Sequence, residues 1–188
     1  MNPIFAAALE IQAFCEARGF RFCFIGGLAL QRWGEPRLTQ VVDLTVISGF
    51  GCETEYADQF LSAFAPCIPD AREFALRHRV LLLLGRDAIP LDVALGAMPF
   101  EERAADRASP FFVAEGVSLL TCSAEDLIVF KAFAGRPQDW IDIEGIAFRQ
   151  YGRLDEELIW RELIPLLELK EDQQTEPRLR QILERPTT

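Results

Sequence analysis

The chain has 188 residues, 19 basic against 29 acidic side chains, a formal net charge of −10, and 50% hydrophobic residues. That composition is too apolar for a disordered chain, and its acidic balance excludes a broad basic surface for holding nucleic acid irrespective of sequence. The longest aliphatic run, Val80 to Leu84, falls far short of the roughly 20 residues needed to cross a bilayer. With Glu10 and Gln12 near the start and no basic opening, the chain reads as soluble and cytoplasmic, with no signal peptide and no membrane partner.

Five cysteines (Cys15, Cys23, Cys52, Cys67 and Cys122) form an odd set with no CxxC pair, and His78 is the one histidine. This argues against a disulfide framework and against structural zinc, and the thiols read as small buried side chains. With one histidine, which reads as structural or surface, acid–base or metal chemistry would fall to carboxylates.

In chain order, Phe5, Ala8, Leu9, Ile11 and Phe14 recur at helical spacing and predict a helix over Ile4 to Ala17, closed by Gly19. The apolar run Phe22 to Ile25 predicts a short strand ended by Gly26-Gly27, with a helix from Leu28 to Trp33 broken at Gly34-Glu35-Pro36. Val41 to Ile47 is β-branched and apolar apart from Asp43 and Thr45, a strand signal. Glu53 to Phe64 reads as a helix, and Arg79–Leu84 with Ile89–Leu95 as a hairpin turning at Gly85-Arg86-Asp87. This half predicts an α/β core of about four strands over residues 1–100.

Beyond about Pro99 the pattern predicts helices. Ser123 with Asp126 three residues on resembles a capping box opening a helix that stops at Gly135. Pro137 suits the first turn of a helix running to Gln150. Leu154–Leu169 and a short segment from Pro177 to Leu183 complete a helical part over 101–188, expected to lie on the core.

Three features carry candidate chemistry. A Gly26-Gly27 turn between strand and helix can bring backbone N–H groups close to a phosphate, or can simply be a tight turn. Asp43 and Asp92 each interrupt an apolar strand. If those strands are neighbours the two carboxylates converge, as they do where proteins hold Mg²⁺ beside a polyphosphate; otherwise they are strand-end aspartates paired with arginines. Lys131 stands out in a chain with 17 arginines and one other lysine, Lys170. It reads either as an anion contact or as a snorkelling surface side chain. Asp139 and Asp142 share a helix face and favour salt bridges, with Arg136 as one partner. Arg72, Arg77, Arg79 and Arg86 read as a solvated face or as a modest basic edge for an RNA.

Gly26-Gly27-Leu28-Ala29, Trp33-Gly34-Glu35-Pro36-Arg37-Leu38-Thr39 and the strand with Asp43 resemble the opening of the AbiEii-type nucleotidyltransferases, toxin-like proteins of type IV toxin–antitoxin systems within the DNA polymerase β-like superfamily. The resemblance continues through Leu91-Asp92-Val93, Met98 to Glu101, Ser123 to Leu127, Lys131, Arg136 and Gln138 to Asp142, roughly residues 20 to 150. It implies an α/β (α+β) nucleotidyltransferase-like fold with a mixed sheet and a helical C-terminal half. It implies metal-dependent transfer of a nucleoside monophosphate from an NTP to a hydroxyl acceptor such as RNA, and a cognate antitoxin as partner. Carried over, Gly26 and Gly27 are the phosphate turn. Asp43 and Asp92 are catalytic and bind Mg²⁺ (or Mn²⁺). Lys131 is a catalytic and nucleotide-binding residue, and Arg37 and Arg136 also contact the nucleotide. The first aspartate of the family's Asp-x-Asp pair falls at Val41, expected on the same strand face as Asp43. The sequence is therefore compatible with an active enzyme, with a catalytically silent module that binds nucleotide or a partner, and with a plain α/β domain if the turn and the aspartates lie apart.

Overall fold

The computed structural model describes residues 2–184, which form two compact units: residues 2–28 with 38–122, and residues 29–37 with 123–184. The first unit opens with α1 (Pro3–Ala17), whose Asn2 side chain accepts from the Ile4 amide, and continues into β1 (Phe22–Phe24). The helix α2 (Gly26–Trp33) begins in the first unit and ends in the second. Then follow β2 (Val42–Ile47), α3 (Glu53–Leu61), β3 (Ala65–Pro66), α4 (Ala71–His78), β4 (Val80–Leu84), β5 (Pro90–Gly96), α5 (Pro99–Asp106), β6 (Ser109–Ala114) and β7 (Val117–Thr121).

All seven strands form one mixed sheet in the order β3-β4-β5-β2-β1-β7-β6. At its centre β2 runs parallel to β5 and antiparallel to β1. Alternation divides the central strands into two faces. Val42, Leu44 and Val46 of β2, with Leu91, Val93 and Leu95 of β5 and Leu81 and Leu83 of β4, point into the core with α1, α3 and α4. The intervening residues Asp43, Thr45, Asp92 and Ala94 therefore share the opposite face. Burying the core side chains contributes roughly 1.5–3 kcal/mol each and pins the register, since a one-residue slip would drive both aspartates into the core. Around the core edge, Phe14, Phe20, Phe60 and Phe64 form a ring cluster with centroid separations of 4.8–6.3 Å.

The second unit contains most of α2, then α6 (Ala124–Ala134), α7 (Pro137–Arg149), α8 (Glu156–Lys170) and α9 (Thr175–Leu183). The opening of α6 follows the expected chemistry: the Asp126 amide donates to Ser123 Oγ at 3.0 Å, and the helix ends at Gly135 with φ +68°. α6 packs against α7, α8 and α9.

The fold is the expected mixed α/β class, with three corrections. The hairpin β6–β7 stands where an unbroken helical part was expected to begin, and with it and the two-residue edge strand β3 the sheet of the described residues has seven strands where about four were expected. The signal for it is faint: β6 is an edge strand with alternating exposure and a proline at its second position, while Glu115-Gly116 is the two-residue turn that could have exposed it. Val41 is not on β2 but in the bend before it, its carbonyl accepting from Thr39 Oγ1 at 3.0 Å. Finally, Cys15, Cys23 and Cys122 are buried, whereas Cys52 and Cys67 are exposed. Burial pushes the Cys15 thiol to about 12 and leaves it inert.

Candidate functional site

The first constellation lies where β1 turns into α2. Gly26 has φ +54°, a left-handed conformation that favours glycine, and a Cβ on it would stand 2.3 Å from Asp43 Oδ2. A Cβ on Gly27 would meet Thr39 Oγ1 at 2.5 Å. Both glycines are therefore required by close approach: one lets the Asp43 carboxylate reach the start of α2, the other lets the segment before β2 lie against it. The Gly27 amide points at Asp43 Oδ2 from 3.5 Å, the outer limit of a hydrogen bond. The positive end of the helix dipole favours a carboxylate there, as it would a phosphate.

Asp43 is held by its own strand, its carbonyl accepting from the Ile25 amide at 3.0 Å. Its direct partner across the parallel β2–β5 pair is Asp92. Adjacent strands lie about 4.8 Å apart, so the two carboxylates leave one face side by side. On the other side Asp92 pairs with Leu82 of β4. Burial beside these aliphatic neighbours raises the Asp92 carboxyl above the ordinary carboxylate range. The structure thus brings together Gly26, Gly27, Asp43 and Asp92, and adds Thr39, which the sequence marks only as the end of the Trp33–Thr39 segment of the resemblance. Thr39 packs on Gly27 and ties down the Val41 carbonyl. Among the described residues no group of three or more acidic, cysteine or histidine side chains could hold a metal ion. Two neighbouring carboxylates are nonetheless a hard-oxygen pair of the kind that suits one Mg²⁺ completed by water and phosphate oxygens.

The second constellation lies within the helical unit. Lys131, on α6, is 5% exposed, which corrects its reading as a snorkelling surface side chain. Its ammonium sits 2.6 Å from Asp142 Oδ2 and 3.3 Å from Asp139 Oδ1, both on α7. Each carboxylate also holds an arginine. Arg37 Nε and Nη2 grip the two oxygens of Asp142 at 3.1 and 3.2 Å. Arg136 Nε and Nη2 grip Asp139 at 2.7 and 3.3 Å, and the Arg136 backbone amide donates to Asp139 as well. Gln138 completes the Asp142 shell at 3.0 Å. Burial pushes both carboxyls up, but the hydrogen bonds from Arg136 to Asp139 and from Arg37 and Lys131 to Asp142, together with the nearby positive charge, bring both below the usual range. Asp139 and Asp142 thus form the salt bridges their spacing suggested.

No protein-family model matches the sequence, and no curated protein matches it. Solved structures are similar in fold. The lincosamide antibiotic adenylyltransferase LnuA, bound to lincomycin, superposes with TM-score 0.50 at 12% identity, over 75% of this chain and 94% of that one. An antigenic nucleotidyltransferase-like protein from Paracoccidioides brasiliensis gives 0.51 at 12% identity, over 97% and 88%. The antibiotic-resistance factor ANT(2'')-Ia gives 0.50 at 19% identity, over 89% and 92%. The chain therefore has a nucleotidyltransferase-like fold, and the carboxylate pair and the glycine turn stand within it.

Proposed function

We propose that this protein is a nucleotidyltransferase that moves a nucleoside monophosphate from an NTP to a hydroxyl acceptor, releasing pyrophosphate. The observation that carries the reading is the direct pairing of Asp43 with Asp92 on one sheet face, with Asp43 against the Gly26-Gly27 start of α2. The backbone of that turn binds phosphate oxygens, and Asp43 and Asp92 hold one divalent cation, Mg²⁺ or Mn²⁺. Two carboxylates and a polyphosphate repel one another at a shared helix terminus unless positive charge lies between them, which is why this donor set suits a cation. When bound, the cation neutralises the phosphates and polarises the α-phosphate. The AbiEii-type resemblance carries Arg37, Lys131 and Arg136 over as further nucleotide contacts. The adenylyltransferase LnuA and ANT(2'')-Ia, whose names speak of antibiotics, support a small hydroxyl-bearing acceptor. The AbiEii-type resemblance supports RNA as acceptor, with an antitoxin as partner.

A second reading, a catalytically silent nucleotide- or partner-binding module, is favoured by one feature: Val41 stands where the related pattern has a further aspartate, and Asp43 and Asp92 are left as a pair.

The test is transfer of label from each of four α-labelled NTPs, with Mg²⁺ or Mn²⁺, onto total RNA, onto lincomycin and onto other small hydroxyl-bearing acceptors. Transfer by the wild type that disappears in Asp43→Asn establishes the enzyme. Transfer by Val41→Asp alone establishes the silent module. Absence of both transfer and nucleotide binding in every variant removes the nucleotidyltransferase reading.

A further inference from the structure

We infer that Thr39 is a positioning residue of the candidate site, whose side chain holds the entry of β2 against the Gly26-Gly27 turn and so aims the Asp43 carboxylate. The inference rests on the nucleotidyltransferase reading for what Asp43 and Asp92 hold, a divalent cation. The contacts of Thr39 stand without it.

Two consecutive glycines receive two side chains from residues four apart. A Cβ on Gly26 would stand 2.3 Å from Asp43 Oδ2, and a Cβ on Gly27 would stand 2.5 Å from Thr39 Oγ1 and 2.7 Å from Thr39 Cβ. One such contact fixes a distance between the turn and the strand. A second, one residue along, also fixes the rotation of β2 about the first. Thr39 is thus the second point of a two-point contact whose first point is the carboxylate itself.

The hydroxyl has its own part in this. The register of β2 with β5 begins at Val42, opposite Leu91, and Asp43 is the next residue in it. What precedes Val42 is set by contacts outside that ladder, and Thr39 supplies one by donating to the Val41 carbonyl at 3.0 Å. A single oxygen therefore packs on Gly27 and bonds the residue two before Asp43. The β-branched side chain has few χ1 states, so little freedom is lost in keeping it there. Groups that orient cation-binding side chains from behind matter to affinity almost as much as the ligands do.

A role in the fold alone and a positioning role predict different outcomes. If Thr39 serves only the fold, losing its hydroxyl lowers the melting temperature and leaves cation affinity unchanged. If it aims Asp43, affinity falls although no cation-binding group has been touched, and serine, which keeps the hydroxyl, restores it.

The experiment is titration of the full chain with Mn²⁺ alone at constant ionic strength, free Mn²⁺ being read by electron paramagnetic resonance, with thermal unfolding in parallel. The site is the Mn²⁺ binding that Asp43→Asn abolishes. Thr39→Val keeps the shape and loses the donor, and is expected to bind Mn²⁺ there about tenfold more weakly. Thr39→Ser keeps the donor to Val41 and is expected to stay within about twofold of wild type. Gly27, unlike Gly26, does not have a positive φ, so alanine suits its backbone and its methyl would press on Thr39. Gly27→Ala is expected to weaken Mn²⁺ binding as Thr39→Val does, and it decides the matter if Thr39→Val does not fold. Wild-type Mn²⁺ affinity in Thr39→Val, with or without a lower melting temperature, would overturn the inference, as would equal losses in Thr39→Val and Thr39→Ser. The two readings fail separately. Mn²⁺ binding that survives in Thr39→Val removes the positioning role and leaves the enzyme standing. Thr39-dependent Mn²⁺ binding without nucleotidyl transfer keeps the positioning role and removes the enzyme. A wild type that binds no Mn²⁺ at Asp43 removes the cation from the proposed function and overturns the inference with it.

Discussion

Asp92 shows how a single residue can set stability against chemistry. Burial raises its carboxyl, so the ionised form costs the folded state free energy at neutral pH, and that cost is relieved as the pH falls through the raised value. Asp92→Asn should therefore raise the melting temperature by on the order of 1–3 °C, the equivalent of under 1 kcal/mol in a chain of this size, and on the proposed function it should also abolish transfer. Differential scanning calorimetry at pH 7 checks it, and a fall in melting temperature would count against the burial argument. Asp139 and Asp142 have the opposite sign. Burial works against them, but their hydrogen-bonded cations hold both carboxyls low. The stability they contribute is complete above the ordinary carboxylate value of about 3.9 and is lost as pH falls through their lower folded values. Asp142→Asn leaves Lys131 and Arg37 short of a counter-charge, a loss of up to roughly 3–5 kcal/mol at pH 7. Its deficit relative to wild type should stay constant from pH 7 to pH 5 and narrow below pH 4, as followed by urea denaturation.

At the level of elements, α6 is the helix most fully written in the sequence. Ser123 accepts from the Asp126 amide at the N-cap, and Gly135 takes the left-handed C-terminal position. Ser123→Ala should cost about 1 kcal/mol through the lost cap. Gly135→Ala should cost roughly 1–2 kcal/mol through the left-handed backbone, since its Cβ position meets nothing closer than 3.6 Å. Both are read by chemical denaturation, and equal stability of either variant with wild type would show that tertiary packing, not capping, fixes that helix end. The hairpin β6–β7 is the contrary case. Its first strand exposes every second residue, Phe112 among them, so local composition resembles a loop, and only pairing of β7 with β1 commits it to the sheet.

For the whole molecule, the net charge of −10 sets the long-range field. Many cations are also spent internally: Arg21 on Asp106, Arg72 on Asp58, Arg79 on Glu53 and Arg180 on Glu176. Non-specific RNA binding should accordingly be weaker than about 10⁻⁴ M at physiological salt, measured by filter retention, and an RNA acceptor would have to be held by local contacts. No helix among the described residues is long and apolar enough to cross a membrane. The sequence by itself determined the helix ends with capping signals, the central strands and the candidate residues Gly26, Gly27, Asp43 and Asp92, because each rests on short-range chemistry: a periodicity, a cap, a turn, or a charge set in an apolar run. It also showed that position 41 lacks a carboxylate. Only the tertiary structure decided that Asp43 and Asp92 are partners, because pairing of strands 49 positions apart is fixed by burial of the opposite sheet face and not by local sequence. The same holds for Lys131: its spacing suits a surface lysine equally well, and its burial follows from α7 bringing two carboxylates over α6, a match that no local pattern records.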